Sequence, residues 1–213
     1  MLSKDAIFST KKGVLSSPLP LPFMKLTRAI KTSFLTQTFG VGGTAPHMLP
    51  LYNSMGLEAH NGWDWLANKG EPVYWDCLDC YGRVENTHID RDGGLGVVVD
   101  TEDKDGKFRH LFWHLESFAC QAGQVLSSGD LIGYADSTGR STGHHLHRGL
   151  KPAIEDRYGN FVNKYPDNKY AGAVDIKPYF EQNIFIKDYV DNLKTQVSIL
   201  KKIVSLLSNF LKR

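Results

Sequence analysis

Polar and apolar positions change rhythm along the chain. From Lys31 to about Phe180 the apolar residues come in short runs, such as Leu95–Gly–Val–Val–Val–Asp100, Phe108–Arg–His–Leu–Phe–Trp113 and Asp130–Leu–Ile–Gly–Tyr134. Runs of this length, separated by Gly, Asn and Asp, predict antiparallel β-strands. Gly93–Gly94 and Asp105–Gly106 are turn signals, the second for a hairpin. The stretch from Glu155 to Asn168 is polar and aromatic and reads as a surface loop. From about Gln182 to Arg213 the spacing is different. Val190, Leu193, Val197, Leu200, Val204, Leu207 and Leu211 alternate steps of three and four, which predicts an amphipathic helix with an a/d stripe. Ahead of both lies Pro18–Leu–Pro–Leu–Pro22, which proline makes stiff and extended. The expected organisation is an extended arm over 1–30, a mainly β domain over 31–180 and a helix over 181–213.

The β region also carries the candidate chemistry. Ser137–Thr–Gly–Arg–Ser–Thr–Gly–His–His–Leu–His147 ends in two histidines one residue apart. On a strand His145 and His147 share a face while Leu146 points to a core. His144 alternates to the other face and reads as a bystander. In His60–Asn–Gly–Trp–Asp64 a histidine and a carboxylate are four apart and also share a face, and Gly62 with Trp63 and Trp65 favours a loop running into a strand. His60, Asp64 and one member of the His145/His147 pair make a two-histidine, one-carboxylate set. Three protein ligands leave a fourth position for water, the arrangement of a catalytic zinc. Residue spacing does not say which half of the pair binds. By parity His110 shares a face with His114. His47 and His88 sit in polar contexts and read as surface residues.

Composition narrows the classes. The 213 residues suffice for one catalytic domain with appendages, and a net charge of +2 argues against a nucleic-acid partner. No apolar run is long enough to span a membrane. Met1–Leu–Ser–Lys–Asp5 has an early acid and no sustained apolar segment follows it, so no signal peptide is expected and synthesis in the cytoplasm is. Cys77–Leu–Asp–Cys80 falls between two strand-like runs, where a plain turn is expected. A redox pair and half a zinc knuckle are the rival readings, and a knuckle lacks enough further ligands.

The segments together resemble peptidase family M23, the lysostaphin/LytM-type zinc endopeptidases that cut the peptide cross-links of bacterial peptidoglycan. The resemblance runs from Thr36 to Leu150 and rests on Thr36–Gln–Thr–Phe–Gly40, the HxxxD of His60/Asp64, Gly70–Glu–Pro–Val–Tyr74, Leu111–Phe–Trp–His–Leu115, Gly129–Asp–Leu–Ile–Gly133 and the HxH of His145/His147. It implies an antiparallel lysostaphin-like β-sheet. It implies one Zn2+ held by His60, Asp64 and His147, with His114 and His145 as catalytic residues and Tyr52 as an oxyanion donor. It makes peptidoglycan the substrate. With no export signal, a phage or prophage lysin or a virion-associated wall hydrolase is expected. The rival reading is a non-catalytic wall-binding or virion structural domain that keeps the metal site. Where the family reads GPHLHFE, this chain has His144 for the proline and Arg148–Gly149 for the aromatic–acid pair, beside the site. For the basic C-terminal helix three readings stand: packing on its own domain, a coiled-coil or virion-docking helix, or a membrane-active helix.

Overall fold

The computed structural model describes residues 24–78, 80–103 and 106–211. Pro18–Leu–Pro–Leu–Pro22 and the rest of the expected arm up to residue 23 lie outside the described residues. The first half of the chain contributes β1 (Lys25–Arg28), β2 (Leu35–Gln37), α1 (Leu49–Ser54), β3 (Trp63–Leu66), β4 (Pro72–Tyr74), β5 (Cys77–Leu78), β6 (Gly82–Asp90) and β7 (Gly94–Asp103). The second half adds β8 (Gly106–Phe118), β9 (Val125–Leu126), β10 (Leu131–Ala135), β11 (His145–Glu155), β12 (Phe161–Asn163), β13 (Phe180–Phe185) and α2 (Ile186–Leu211).

The main sheet is antiparallel, in the order β2-β3-β11-β8-β7-β6-β9, with β12 on β11 and β10 joining β8 to β4. The long β7/β8 pair runs from Asp103 opposite Gly106 back to Leu95 opposite Leu115; of the expected Asp105–Gly106 turn, Gly106 opens β8 and Asp105 lies outside the described residues. The Gly93–Gly94 signal falls at the β6/β7 turn, where the Asp90 carboxylate accepts from the Asp92 and Gly93 amides, both at 2.7 Å. One face of β7, β8 and β11 supplies Val97, Val99, Phe108, Phe112, Leu146 and Leu150 to a core closed by Trp65, Trp75 and Leu26.

Three segments depart from the sequence reading. Residues 24–30, expected in the arm, belong to the core: Met24, Leu26, Ala29 and Ile30 are buried, and β1 lies parallel to β13 and antiparallel to β5. The run is too short to signal itself, and its partner β13 comes at the other end of the domain. The stretch from Glu155 to Asn168 contains a hairpin arm, β12, paired back on β11 through Ala153 and Asn163. The helix begins at Ile186, not at 181, because Phe180–Phe185 is strand. Ile186 and Phe185 pack with Leu78, and Tyr74 and Val190 cover them. Beyond Val190 every described helix residue up to 209 is exposed, so only the first turns of the helix pack on its own domain. Cys77 and Cys80 are joined by a disulfide that closes the turn after β5. Among the described residues no helix is long and apolar enough to cross a membrane.

Candidate active site

The site is built where β3 lies beside β11. The register places His147 opposite Asp64. Directly opposed residues project to the same side of a sheet, so the two meet, and His145 joins them two residues along. Leu146 and Trp65 project the other way, into the core. His60 arrives from the loop before β3. That loop is pinned by the His60 amide on Thr44 Oγ1 at 3.0 Å and the Gly40 amide on the His60 carbonyl at 2.8 Å. Gly62 lets the loop pass close to β11: a Cβ there would sit 2.7 Å from the His147 ring and from the Arg148 carbonyl.

Three ligand atoms converge. His60 Nε2 is 3.1 Å from Asp64 Oδ1, His147 Nδ1 is 2.9 Å from the same oxygen, and the two nitrogens are 2.9 Å apart. All three residues are buried. The Thr38 carbonyl can only accept, so His60 Nδ1 donates to it at 3.1 Å and Nε2 is the atom turned to the cluster. Burial would raise the Asp64 carboxyl, but the charges and hydrogen bonds of His60 and His147 outweigh it and hold Asp64 well below the usual carboxylate range. Burial pushes His147 down against the pull of Asp64, which favours the neutral ring that a metal needs. The donor set therefore fits zinc. Bonds of about 2.0–2.1 Å at tetrahedral angles place ligand atoms about 3.3 Å apart, close to the triangle seen.

His114 and His145 stand beside this triangle, their rings 4.4 Å apart. Along β8, His110 and Phe112 face the core, and strict alternation would send His114 there too. Instead Leu95 opposes Leu115 while Val97 opposes Phe112, a two-for-one bulge, and His114 takes φ 64°. The bulge turns His114 to the ligand side, so it does not share a face with His110. His114 Nδ1 donates to the Thr138 carbonyl at 2.7 Å. Burial, then the neighbouring His145 and His147, push His114 down to about 4. His145 donates from Nδ1 to the Gly143 carbonyl at 2.8 Å, leaving Nε2 3.6 Å from Asp64 Oδ2. The five side chains lie in a cleft of about 470 Å³.

The sequence profile of Peptidase family M23 matches residues 58–163, from just before His60 to the end of β12. The chain belongs to peptidase family M23. Lysostaphin of Staphylococcus simulans is 30% identical over 105 residues, 49% of this chain and 20% of its own length. The solved catalytic domain of lysostaphin gives a TM-score of 0.45 at 25% identity, covering 57% of this chain and 79% of that one. The DD-carboxypeptidase/endopeptidase Mpg of Neisseria meningitidis is 39% identical over 88 residues, 41% of this chain and 19% of its own. Morphogenesis protein 1 of Bacillus phage B103 is 37% identical over 114 residues, covering 46% of this chain and 30% of that protein. The matches thus span 19–30% of the length of these three curated relatives.

The M23 site gathers residues that the sequence reading singled out and some that it did not. Tyr52, on α1, packs its ring 5.5 Å from that of His60 and donates to Gln37 Oε1 at 3.3 Å. Burial, then the Asp64 charge, push its phenol up, so it keeps its proton. Gln37 was not anticipated; its Nε2 lies 3.5 Å from Asp64 Oδ2. Its only sequence signal was its place in Thr36–Gln–Thr–Phe–Gly40. Thr38 and Thr138 orient imidazoles through their carbonyls, which no side-chain pattern can reveal. Arg148, expected beside the site, points away from it. It is fully buried, reaches both Asp76 oxygens at 2.9 and 3.0 Å, and donates to His110 Nδ1 at 2.6 Å. His144 pairs with Asp136 at 2.9 Å, outside the ligand cluster, and His88 lines the cleft rather than open surface.

Proposed function

We propose that this chain is a zinc-dependent endopeptidase hydrolysing the peptide cross-links of bacterial peptidoglycan. The observation that carries the reading is the buried His60–Asp64–His147 triangle with the imidazoles of His114 and His145 at its side. Bound by these three residues, one Zn2+ supplies polarisation of the scissile carbonyl and an acidified water. The remaining work belongs to the chain. With its Nδ1 proton engaged by Gly143, His145 turns Nε2 to the reaction space, takes the attacking water's proton and returns it to the leaving amine. His114 is neutral at pH 7, and Thr138 holds its only ring proton. Its Nε2 therefore accepts a hydrogen bond and orients the water; it does not donate to an oxyanion. The protonated Tyr52 hydroxyl is the donor placed for that task.

The biological setting we assign is a phage or prophage lysin, or a virion-associated hydrolase, made in the cytoplasm and acting on the wall. The likeness to a phage morphogenesis protein supports it. Zinc-loaded full chain on purified sacculi, read by mass spectrometry of the released muropeptides, tests the activity. Cross-linked dimers should disappear and new amino termini should form. His145→Ala and His114→Ala should retain zinc yet lose on the order of 10²–10⁴-fold in rate. Intact sacculi after treatment with the zinc-loaded chain would overturn the proposal.

A further inference from the structure

The feature left without a partner is the face of α2. From Asp191 to residue 209 every helix residue is exposed, with Leu200 59% exposed and Val204 61% exposed. The part after Val190, from Asp191 to the helix end at Leu211, is about 32 Å long, enough for three heptads. Set in heptads, Val197 and Val204 occupy a and Leu193, Leu200 and Leu207 occupy d, while Val190, the a residue before them, is already packed on its own domain. A β-branched residue at a with leucine at d is the combination that favours two parallel strands. The flanking charges agree on direction. Lys187, Lys194 and Lys201 all fall at e, whereas g holds Tyr189, Gln196 and Ile203. In an antiparallel pair e meets e, and the two lysine rows would face each other. In a parallel pair e meets g of the partner one heptad back, so Lys194 lies over a tyrosine at 189 and Lys201 over a glutamine at 196, both uncharged.

We propose that α2 docks on α2 of a second copy of this chain as a parallel, in-register two-stranded coiled coil, holding two catalytic domains at the same end of the coil. The strand β13, fixed in the small sheet, leads directly into the helix, so each domain sits at the coil's start with no linker between. On a polymeric wall the pair would let one domain stay engaged while the other acts, raising its effective concentration at neighbouring cross-links.

Sedimentation equilibrium of the full chain tests the proposal, with Leu200→Lys as the seam variant. The native chain should give twice the monomer mass and the variant the monomer mass. Ile199→Ser, at position c and outside the seam, should keep the dimer. Circular dichroism of the domain should be unchanged in each, because these side chains are exposed. Leu193→Cys should form a disulfide between copies under mild oxidation, since d residues near one end meet only when the strands are parallel. A native chain that stays monomeric, a larger oligomer, or a Leu193→Cys dimer that fails to cross-link would overturn the arrangement. Monomeric chain that co-sediments with anionic phospholipid vesicles, and loses this with Leu200→Lys, would assign the face to a lipid surface instead.

Discussion

Gly62 and His114 are the two positions where the backbone has to make an exception for the site. At Gly62 the exception is space. Adding one methyl group forces the β3 loop off the His147 ring, and that ring carries a ligand atom. Gly62→Ala should leave the fold intact by circular dichroism and lower zinc affinity on the order of 10–100-fold, the range seen when the support of a ligand is disturbed. Competition with a chelating dye measures it, and unchanged affinity would show that the loop yields freely. At His114 the exception is torsion: φ 64° is uncommon for a residue with a side chain, and here it accompanies the bulge that brings the ring beside His145. These exceptions also mark where sequence reading stops. His60 with Asp64 and the His145/His147 pair were legible, because fixed spacing sets a shared face. The choice between His145 and His147 was not, since parity treats them alike. The β3/β11 register separates them, putting His147 and not His145 opposite Asp64. The face of His114 was illegible because the bulge in β8 sets it, whereas Arg148 falls by alternation on the core face with Leu146 and only its buried partner, Asp76, far away in sequence, could not be read.

At the scale of elements the chain divides unevenly between what pattern announces and what pairing decides. The long strands β7, β8 and β11 and the helix announce themselves through period and length. β1 and β13 do not: each is short, and their pairing joins the two ends of the domain. The boundary expected at residue 30 therefore cuts through core, and the one at 181 through a strand. The helix is the converse case, legible as an element while its contacts were not. Ile186 and Val190 tie its first turns to Leu78 and Tyr74, and beyond them every residue described up to 209 is exposed. Truncation after Asn192 should therefore leave the melting temperature of the domain within a few degrees, in line with the small effect of changes at exposed sites. Cleavage of soluble muropeptides should likewise persist within about twofold. Thermal scans and a muropeptide assay of the truncated chain check this. Collapse of either would make the distal helix part of the catalytic fold.

For the whole molecule, stability is coupled to metal and to protons. A ligand that binds only the folded state stabilises by about 2.7 kcal/mol at one hundred times its Kd, or about 5–11 °C for a domain of this size. Zinc should raise the melting temperature by that order and chelation should reverse it, while Asp64→Ala should show no shift. Acid should act oppositely. Burial, then the Arg148 charge, hold His110 well below its ordinary value of 6.5. Its unfolded form therefore takes up a proton first. Stability is full above about 6.5 and falls as the pH drops through that value, by up to ~1.4 kcal/mol per pH unit for this one group. Chemical denaturation of the metal-free chain between pH 7.5 and 5 should show the decline, and His110→Gln should flatten it; an identical slope in the variant would assign the decline to other groups. The parallel pairing of β1 with β13 has a mechanical side. The chain enters β1 at one end of that pair and leaves β13 for the helix at the other. A pull between the segment preceding Lys25 and α2 would load the hydrogen bonds between these strands together, in shear, rather than peel them apart in turn. Force carried along the helix would then be borne by the small sheet before it could reach the β3/β11 floor.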